Sequence, residues 1–315
     1  MRNHLKTLRL ITSTLITLCL LVSASAQTQI QITLKNTFIE KYKNRVTIEA
    51  TFTVDKAHKN VNPASKDGDM HVAGRAPQIG LPTVAELMNA KFENSAVALI
   101  KSIEGTGNTA TMTGAWRLWC EHSGGDPQVQ GTPLEPFNST NPDHVFEIHP
   151  VVKLNQVSLL RSLIPIQGFK TKDAEQAFNS YEKIDATIVP RKTTTTLLTE
   201  MGGFNYVEFA VMLNEDPTFT TVDGRMVFAS IHDLEGHLLV RNRRLVFVKD
   251  SPPELRVRDL KKGDTLHLLG VPRINLALVS WRAKKGKTKP AVLKWNLPYE
   301  IIVVGVYPDT PEVDN

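Results

Sequence analysis

Gly114-Ala115-Trp116-Arg117-Leu118-Trp119-Cys120-Glu121-His122 is the stretch on which the fold turns. It is aromatic and apolar, and it continues a run from Thr109, so it reads as a strand that can supply the wall of a small barrel. Two short motifs rich in carboxylate and imidazole flank it in sequence. One is Asp67-Gly68-Asp69-Met70-His71; the other is Asn141-Pro142-Asp143-His144-Val145-Phe146-Glu147-Ile148-His149-Pro150. Both look like strand segments approached by a turn. Side chains alternate faces along a strand with period two. Asp67, Asp69 and His71 therefore share one face of the first motif, and Asp143, Val145, Glu147 and His149 share one face of the second. The two motifs are expected to meet in space.

Outward from this centre the pattern is mostly that of strands. Ile30–Leu34 and Val46–Val54 alternate, and Met70–Arg75 follows a turn-rich segment marked by Asn62-Pro63. Leu81–Asn94 reads as a helix, with Pro82 in its first turn and Val84, Leu87, Met88 and Phe92 on one stripe. A long connection from Ser123 to Pro142 leads to a strand at Val145–Leu154. Val157–Ile166 and Thr171–Ile184 read as helices, the second with Thr171 as its cap. Strands then resume at Ala186–Val189, Thr193–Thr199, Tyr206–Leu213, Arg225–Asp233 and His237–Val248, with turns at Asp223-Gly224 and Glu235-Gly236. Leu260–Ile274 reads as strand–turn–strand and Tyr299–Tyr307 as the last strand; no internal repeat is visible. The expected fold is mainly β (α+β), with two small OB-like β-barrel domains joined by a helical segment and a β-sandwich as the next choice. The expected division is a leader at 1–26, an OB-like domain at 27–156, a helical connector at 157–185, a basic β-rich domain at 186–307 and an acidic tail at 308–315.

Asp67-Gly68-Asp69-Met70-His71, the Ala85-Glu86 pair and Glu147-Ile148-His149-Pro150-Val151 together resemble a pattern found in uncharacterised secreted bacterial proteins. Those carry a DGDxH strand, a downstream AE segment and a closing E-[LI]-HPV strand. The resemblance covers residues 60–155 and implies an OB-like module of exported proteins with no assigned chemistry. A fainter likeness is to thermonuclease-type OB barrels, where DGD sits beside a metal. The arginine-rich strand and the Asp-x-Pro-Glu segment that accompany it there have no counterpart in this chain.

The N-terminus reads as an export signal. Arg2, Lys6 and Arg9 precede an apolar run, Leu10–Val22, and Ala24-Ser25-Ala26 is a small-x-small cleavage site, placing the mature start at Gln27. The apolar run is shorter than the ~20 residues of a spanning helix, so the mature chain is expected to carry no transmembrane segment. Cys19 leaves with the leader and Cys120 remains as a buried, inert thiol. Without the leader, 34 lysines and arginines face 32 aspartates and glutamates. That near balance hides an asymmetry, because residues 241–294 hold 15 basic against four acidic groups. A local field of that sign suits an anionic polysaccharide, a lipid surface or nucleic acid.

Two chemistries follow. Asp69, His71, Glu147 and His149, with Asp67 beside them and His122 or His144 as further donors, supply oxygen and nitrogen ligands for a divalent metal such as zinc or manganese, or else a structural polar network. Gly-x-Ser-x-Gly, His-Glu-x-x-His and phosphate-binding glycine loops are absent from the sequence. Trp281, Arg282, Lys284, Lys285, Lys287 and Lys289, followed by Lys294-Trp295, interleave aromatic and basic residues as an anion-binding loop between strands. The expected function is an exported, non-enzymatic binding or envelope-associated protein. A metal-dependent hydrolase or nuclease-like enzyme built on Asp69, His71, Glu147 and His149 is the alternative.

Overall fold

The computed structural model describes residues 29–123, 125–286, 293–309 and 312–313. The leader, Lys287 and Lys289 lie outside them. In chain order the strands and helices begin with β1 (Ile30–Lys35), α1 (Asn36–Tyr42), β2 (Thr47–Ala57), β3 (Met70–Arg75) and β4 (Thr83–Leu87). They continue with α2 (Asn94–Ile103), β5 (Thr109–His122), β6 (Gln128–Val129), β7 (His144–Leu154) and β8 (Val157–Ser158). Next come α3 (Ala174–Lys183), β9 (Asp185–Pro190), β10 (Thr194–Thr199), β11 (Val207–Leu213), β12 (Thr220–Thr221) and β13 (Gly224–His232). The last are β14 (Leu238–Val248), α4 (Pro252–Val257), β15 (Thr265–Ile274), α5 (Leu276–Gly286), β16 (Leu293–Asn296) and β17 (Tyr299–Val306).

Two closed five-stranded barrels carry the architecture. The first closes in the order β2-β3-β4-β7-β5, with β4 and β7 parallel. The second closes as β11-β13-β14-β17-β15, with β14 and β17 parallel. Counted within each barrel the order is first, second, third, fifth, fourth, and a helix (α2 or α4) joins the third strand to the fourth. Both are therefore OB-like. A third sheet, β16-β9-β10-β1-β6, takes strands from the start of the chain, from the long connection of the first barrel, from between the barrels and from within the second. The expected two-way division is corrected here: residues 30–35, 185–199 and 293–296 belong to this shared sheet rather than to either barrel.

The two barrels pack by equivalent faces, and their sequences match where they do. Gly114-Ala115-Trp116-Arg117-Leu118 on β5 corresponds to Gly270-Val271-Pro272-Arg273-Ile274 on β15, and Phe146-Glu147-Ile148 on β7 to Tyr299-Glu300-Ile301 on β17. Arg117 stands opposite Glu147, and Arg273 opposite Glu300. Arg117 Nε donates to the Pro272 carbonyl at 3.0 Å, while Arg273 Nη1 donates to the Trp116 carbonyl at 3.0 Å. Each arginine thus binds the residue just before its counterpart, which relates the barrels by a pseudo-twofold. Both arginines are fully buried. The glycines are part of the same device: a Cβ on Gly114 would lie 2.4 Å from Ile148 Cγ2, and one on Gly270 2.4 Å from Ile301 Cγ2. Only a residue without Cβ lets the fourth strand approach the fifth so closely. The expectation of no repeat is corrected by this duplication.

Between the barrels lies an apolar layer of its own. Val46, Ala115 and Val152 from the first barrel pack with Val246, Val271 and Ile302 from the second. Strands at this seam are buried on both faces, and that explains a further correction. Residues 83–87 form a strand, β4, not the start of a helix; all five are buried, so the period-two signal is lost. The helix follows as α2 at Asn94–Ile103. By contrast β2, which has one face toward solvent over much of its length, keeps Ile48, Ala50, Phe52 and Val54 inside. Residues 157–166 hold β8 and a short 3-10 turn at Leu160–Ser162 in place of a helix. The α3 cap is Asp173, whose carboxylate accepts from Gln176 N, and not Thr171. Residues 260–274 hold one strand, β15, preceded by a turn at Lys261–Asp264.

Candidate functional site

The first barrel turns a polar stripe toward the seam, and the expected motifs do meet there. β3 carries His71, β4 carries Glu86, β7 carries Glu147 and His149, and β5 carries Arg117. Backbone pairing sets His71 opposite Glu86 and Arg117 opposite Glu147, so the stripe crosses four strands in register. Asp69 stands at the entrance of β3. From the far side Tyr206, just before β11, donates its hydroxyl to Asp69 and accepts from His149 Nε2 at 2.8 Å. His149 Nδ1 faces Glu86 at 3.2 Å and Glu147 at 3.3 Å. Arg117 closes the chain, donating to Glu147 at 2.5 Å and to Glu121 at 2.8 Å.

The members differ in environment. Asp69 and His149 are wholly buried, and Glu86 and Glu147 are each 2% exposed. His71 sits at the rim, half-buried, with its Nε2 3.7 Å from Glu86. Asp67 is outside the network: it lies in the turn before β3, where its carboxylate accepts from Asn62 and from the Asp69 amide. Sequence reasoning placed Asp69, Glu147 and His149 correctly together. It missed Arg117 and Tyr206 as partners, and it saw Glu86 only through the family pattern. Tyr206 lies 137 residues from Asp69, and no local signal could join them.

Burial and pairing push the acids apart. Burial, with Glu86 nearby, lifts the Asp69 carboxyl well above its usual range. Burial also raises Glu86 to about 7, against the pull of His149. For Glu147 burial acts in the same sense, but the Arg117 guanidinium and the facing imidazoles of His144 and His149 outweigh it and hold the carboxylate well below its ordinary value. Burial lowers His71 and raises the Tyr206 hydroxyl. Separated carboxylate pKa values are a mark of acid–base sites, and equally of buried ion networks. A substrate would have to part the barrels to reach Asp69, Glu86 or His149, and these three already engage one another or Tyr206.

Donor atoms of Asp69, Glu86 and His149 lie within 4.8 Å of one another, as do those of Glu121, His122 and Glu147. The first set is closed by hydrogen bonds and by the Tyr206 hydroxyl between Asp69 and His149. The second opens toward solvent at the end of β5. Cys120 is fully buried, and burial pushes its thiol up to about 12, the environment of an inert thiol.

The basic segment is arranged differently from expectation. Trp281, Arg282, Lys284 and Lys285 lie on helix α5 and not on a loop between strands. Lys284 reaches Glu40 at 3.1 Å, and Lys294 reaches Asp185 at 2.7 Å. Arg243 pairs with Glu182, and Arg244 and Arg273 share Glu300. The acids come from outside residues 241–294 or from its far neighbours, so a charge count along that stretch overstates its field. Two indoles stay on the surface beside the lysines. Trp281 is 47% and Trp295 37% exposed, edge to face at 6.4 Å. Lys285 Nζ sits 4.0 Å over the Trp281 ring, and the Arg282 guanidinium 4.7 Å over Trp295.

Among the described residues no helix is long and apolar enough to cross a membrane. No family model matches the chain, and no curated protein matches it. A solved structure described as "Structural mimicry for functional antagonism" aligns with 75% of this chain and 90% of its own at 12% identity. Its TM-score is 0.19, too low to carry an argument.

Proposed function

We propose that this chain is an exported, non-catalytic binding protein that takes an anionic polysaccharide at the aromatic and basic surface formed by α5 and β16. The observation that carries the reading is the exposed Trp281–Trp295 pair with a cation over each ring. Indole faces stack on sugar rings, and the neighbouring cations meet the acidic groups. The surface lies in the connection between the fourth and fifth strands of the second barrel, one of the two loops with which OB folds hold oligosaccharides and oligonucleotides. The leader-like N-terminus and the likeness of residues 60–155 to a module of exported proteins support the compartment, which disfavours nucleic acid as the everyday partner. Interlocked barrels suit this role, since a surface on a rigid body loses little freedom on binding.

Heparin, as an acidic polysaccharide probe, should bind the purified chain, and binding should weaken between about 50 and 200 mM salt as charges are screened. Replacing Trp281 and Trp295 together by Ala should lower affinity by about tenfold or more while the fold persists. Equal binding by the folded double variant would remove the proposal.

A further inference from the structure

Glu121 and His122 close the exposed end of β5, and His144 opens β7 opposite them, with His122 paired to His144 across the strands. Between these two strand ends runs the connection 123–143. His144 is 1% exposed. Its Nδ1 lies 2.7 Å from the Pro142 carbonyl, which can only accept, so Nδ1 carries a hydrogen. In the neutral ring Nε2 then holds a lone pair. That atom has no hydrogen-bond partner, yet it faces Glu147 Oε1 at 3.4 Å. A lone pair aimed at a carboxylate oxygen inside a protein is repulsive unless a cation stands between them. The rings of His144 and His122 stack at 5.1 Å, and one donor atom from each of Glu121, His122 and Glu147 falls within 4.8 Å of the others. A proton on Nε2 would serve Glu147 alone, whereas Glu121 and His122 bring further donor atoms to the same carboxylate.

We infer that Glu121, His122, His144 and Glu147 form a binding site for a divalent transition-metal ion of the zinc type. Two imidazoles and two carboxylates are a mixed nitrogen–oxygen set, which suits zinc or cobalt better than the all-oxygen shells of calcium and magnesium. Arg117 holds one oxygen of Glu147 and one of Glu121, orienting both carboxylates as outer partners of ligands do. The Pro142 carbonyl does the same for His144. The second barrel supplies an internal control. Counting from the matched arginines and glutamates, Ala277 and Leu278, there already on α5, fall at the numbers of Glu121 and His122, and Leu297 at that of His144. The fold does not demand donors at these places. Such an ion would tie the base of the 123–143 connection to both flanking strands.

The test is a titration of the chelator-stripped full chain with Zn2+ by calorimetry, alongside the cobalt absorption spectrum. One equivalent should bind the wild type. His122→Ala and Glu121→Gln, both at partly exposed positions, should each weaken it by about tenfold or more and alter the cobalt bands. Thermal melts of each variant without metal confirm that the fold is retained. Failure of the wild type to bind would overturn the site and leave a His144 imidazolium paired with Glu147. Binding that both folded variants leave unchanged would equally overturn it, because the ion would then sit elsewhere, as at Asp69, Glu86 and His149. The polysaccharide reading rests on the other barrel and stands or falls separately.

Discussion

The two barrels share strand order, a glycine three residues before a buried arginine on the fourth strand, and a glutamate opposite it on the fifth. They part company on either side of that pair. Parallel pairing sets Leu245 beside Ile301 and Ala85 beside Ile148, so Val246 and Ile302 occupy in the second barrel the places of Glu86 and His149 in the first. Val246 and Ile302 belong to the apolar seam. The arginine–glutamate pair is thus common to both halves of the interface, and the acids and imidazoles of the first barrel are an addition to it. Burying them carries a desolvation cost that aliphatic side chains at the same places do not incur.

Removing one member of the common pair should have the largest effect. Glu300→Ala strands the fully buried Arg273 guanidinium and Glu147→Ala leaves Arg117 only the partly exposed Glu121, and each should cost about 3–5 kcal/mol in urea unfolding. Because each arginine also binds a strand of the other barrel, both variants should shift one shared transition. A cheap Glu147→Ala beside a costly Glu300→Ala would show that the correspondence is geometric only. Next in size is the exchange of the first barrel's additions for the second barrel's residues. Glu86→Val and His149→Ile should each cost roughly 1–3 kcal/mol by leaving a partner unsatisfied. The double variant should cost less than their sum by about 0.5 kcal/mol or more, and strict additivity would dissolve the network into separate contacts.

The smallest effect concerns a feature of the second barrel alone. His267 stands where the first has Thr111, and its two ring nitrogens face Glu208 at 2.9 Å and Asp309 at 3.0 Å, under the Tyr307 ring. Burial would lower it, but the two carboxylates prevail and raise it above 6.5. The folded state therefore binds this proton more tightly than the unfolded chain does. Its contribution is complete below pH 6.5 and is lost as pH rises through the folded value. Asp309 is 68% exposed, so the gain should stay under about 1 kcal/mol. The stability difference between wild type and His267→Gln should shrink as pH climbs above that window, and a flat difference would mean the carboxylates do not hold the charge.

The sequence was most legible where one face of a strand meets water. Along β2 the alternation of Ile48, Ala50, Phe52 and Val54 gives both the element and its inner side. At the seam both faces are buried and the alternation disappears, which is why Thr83–Leu87 reads as part of a helix. The duplication is not legible in the sequence because the halves hold in common only positions the interface constrains, Gly-x-x-Arg and Glu-Ile, which are too short to stand out in one chain. Asp69, Glu147 and His149 could be grouped because two of them share a strand face and the third sits in a turn of similar chemistry. The basic segment misled for the opposite reason. Its counterions Glu40, Glu182 and Asp185 all lie outside the stretch, and a charge count along it sees none of them.

The shared sheet has a consequence for the order of assembly. Its strands are drawn from residues 30–35, 128–129, 185–190, 194–199 and 293–296. Every strand of the first barrel precedes residue 155, so that barrel can close while most of the second is still unmade. The sheet cannot be complete until β16 joins β9, and no N-terminal fragment ending before Leu293 contains it. Contacts between segments so far apart in sequence form slowly. The clasp is therefore completed late, by nearly the last strand of the chain.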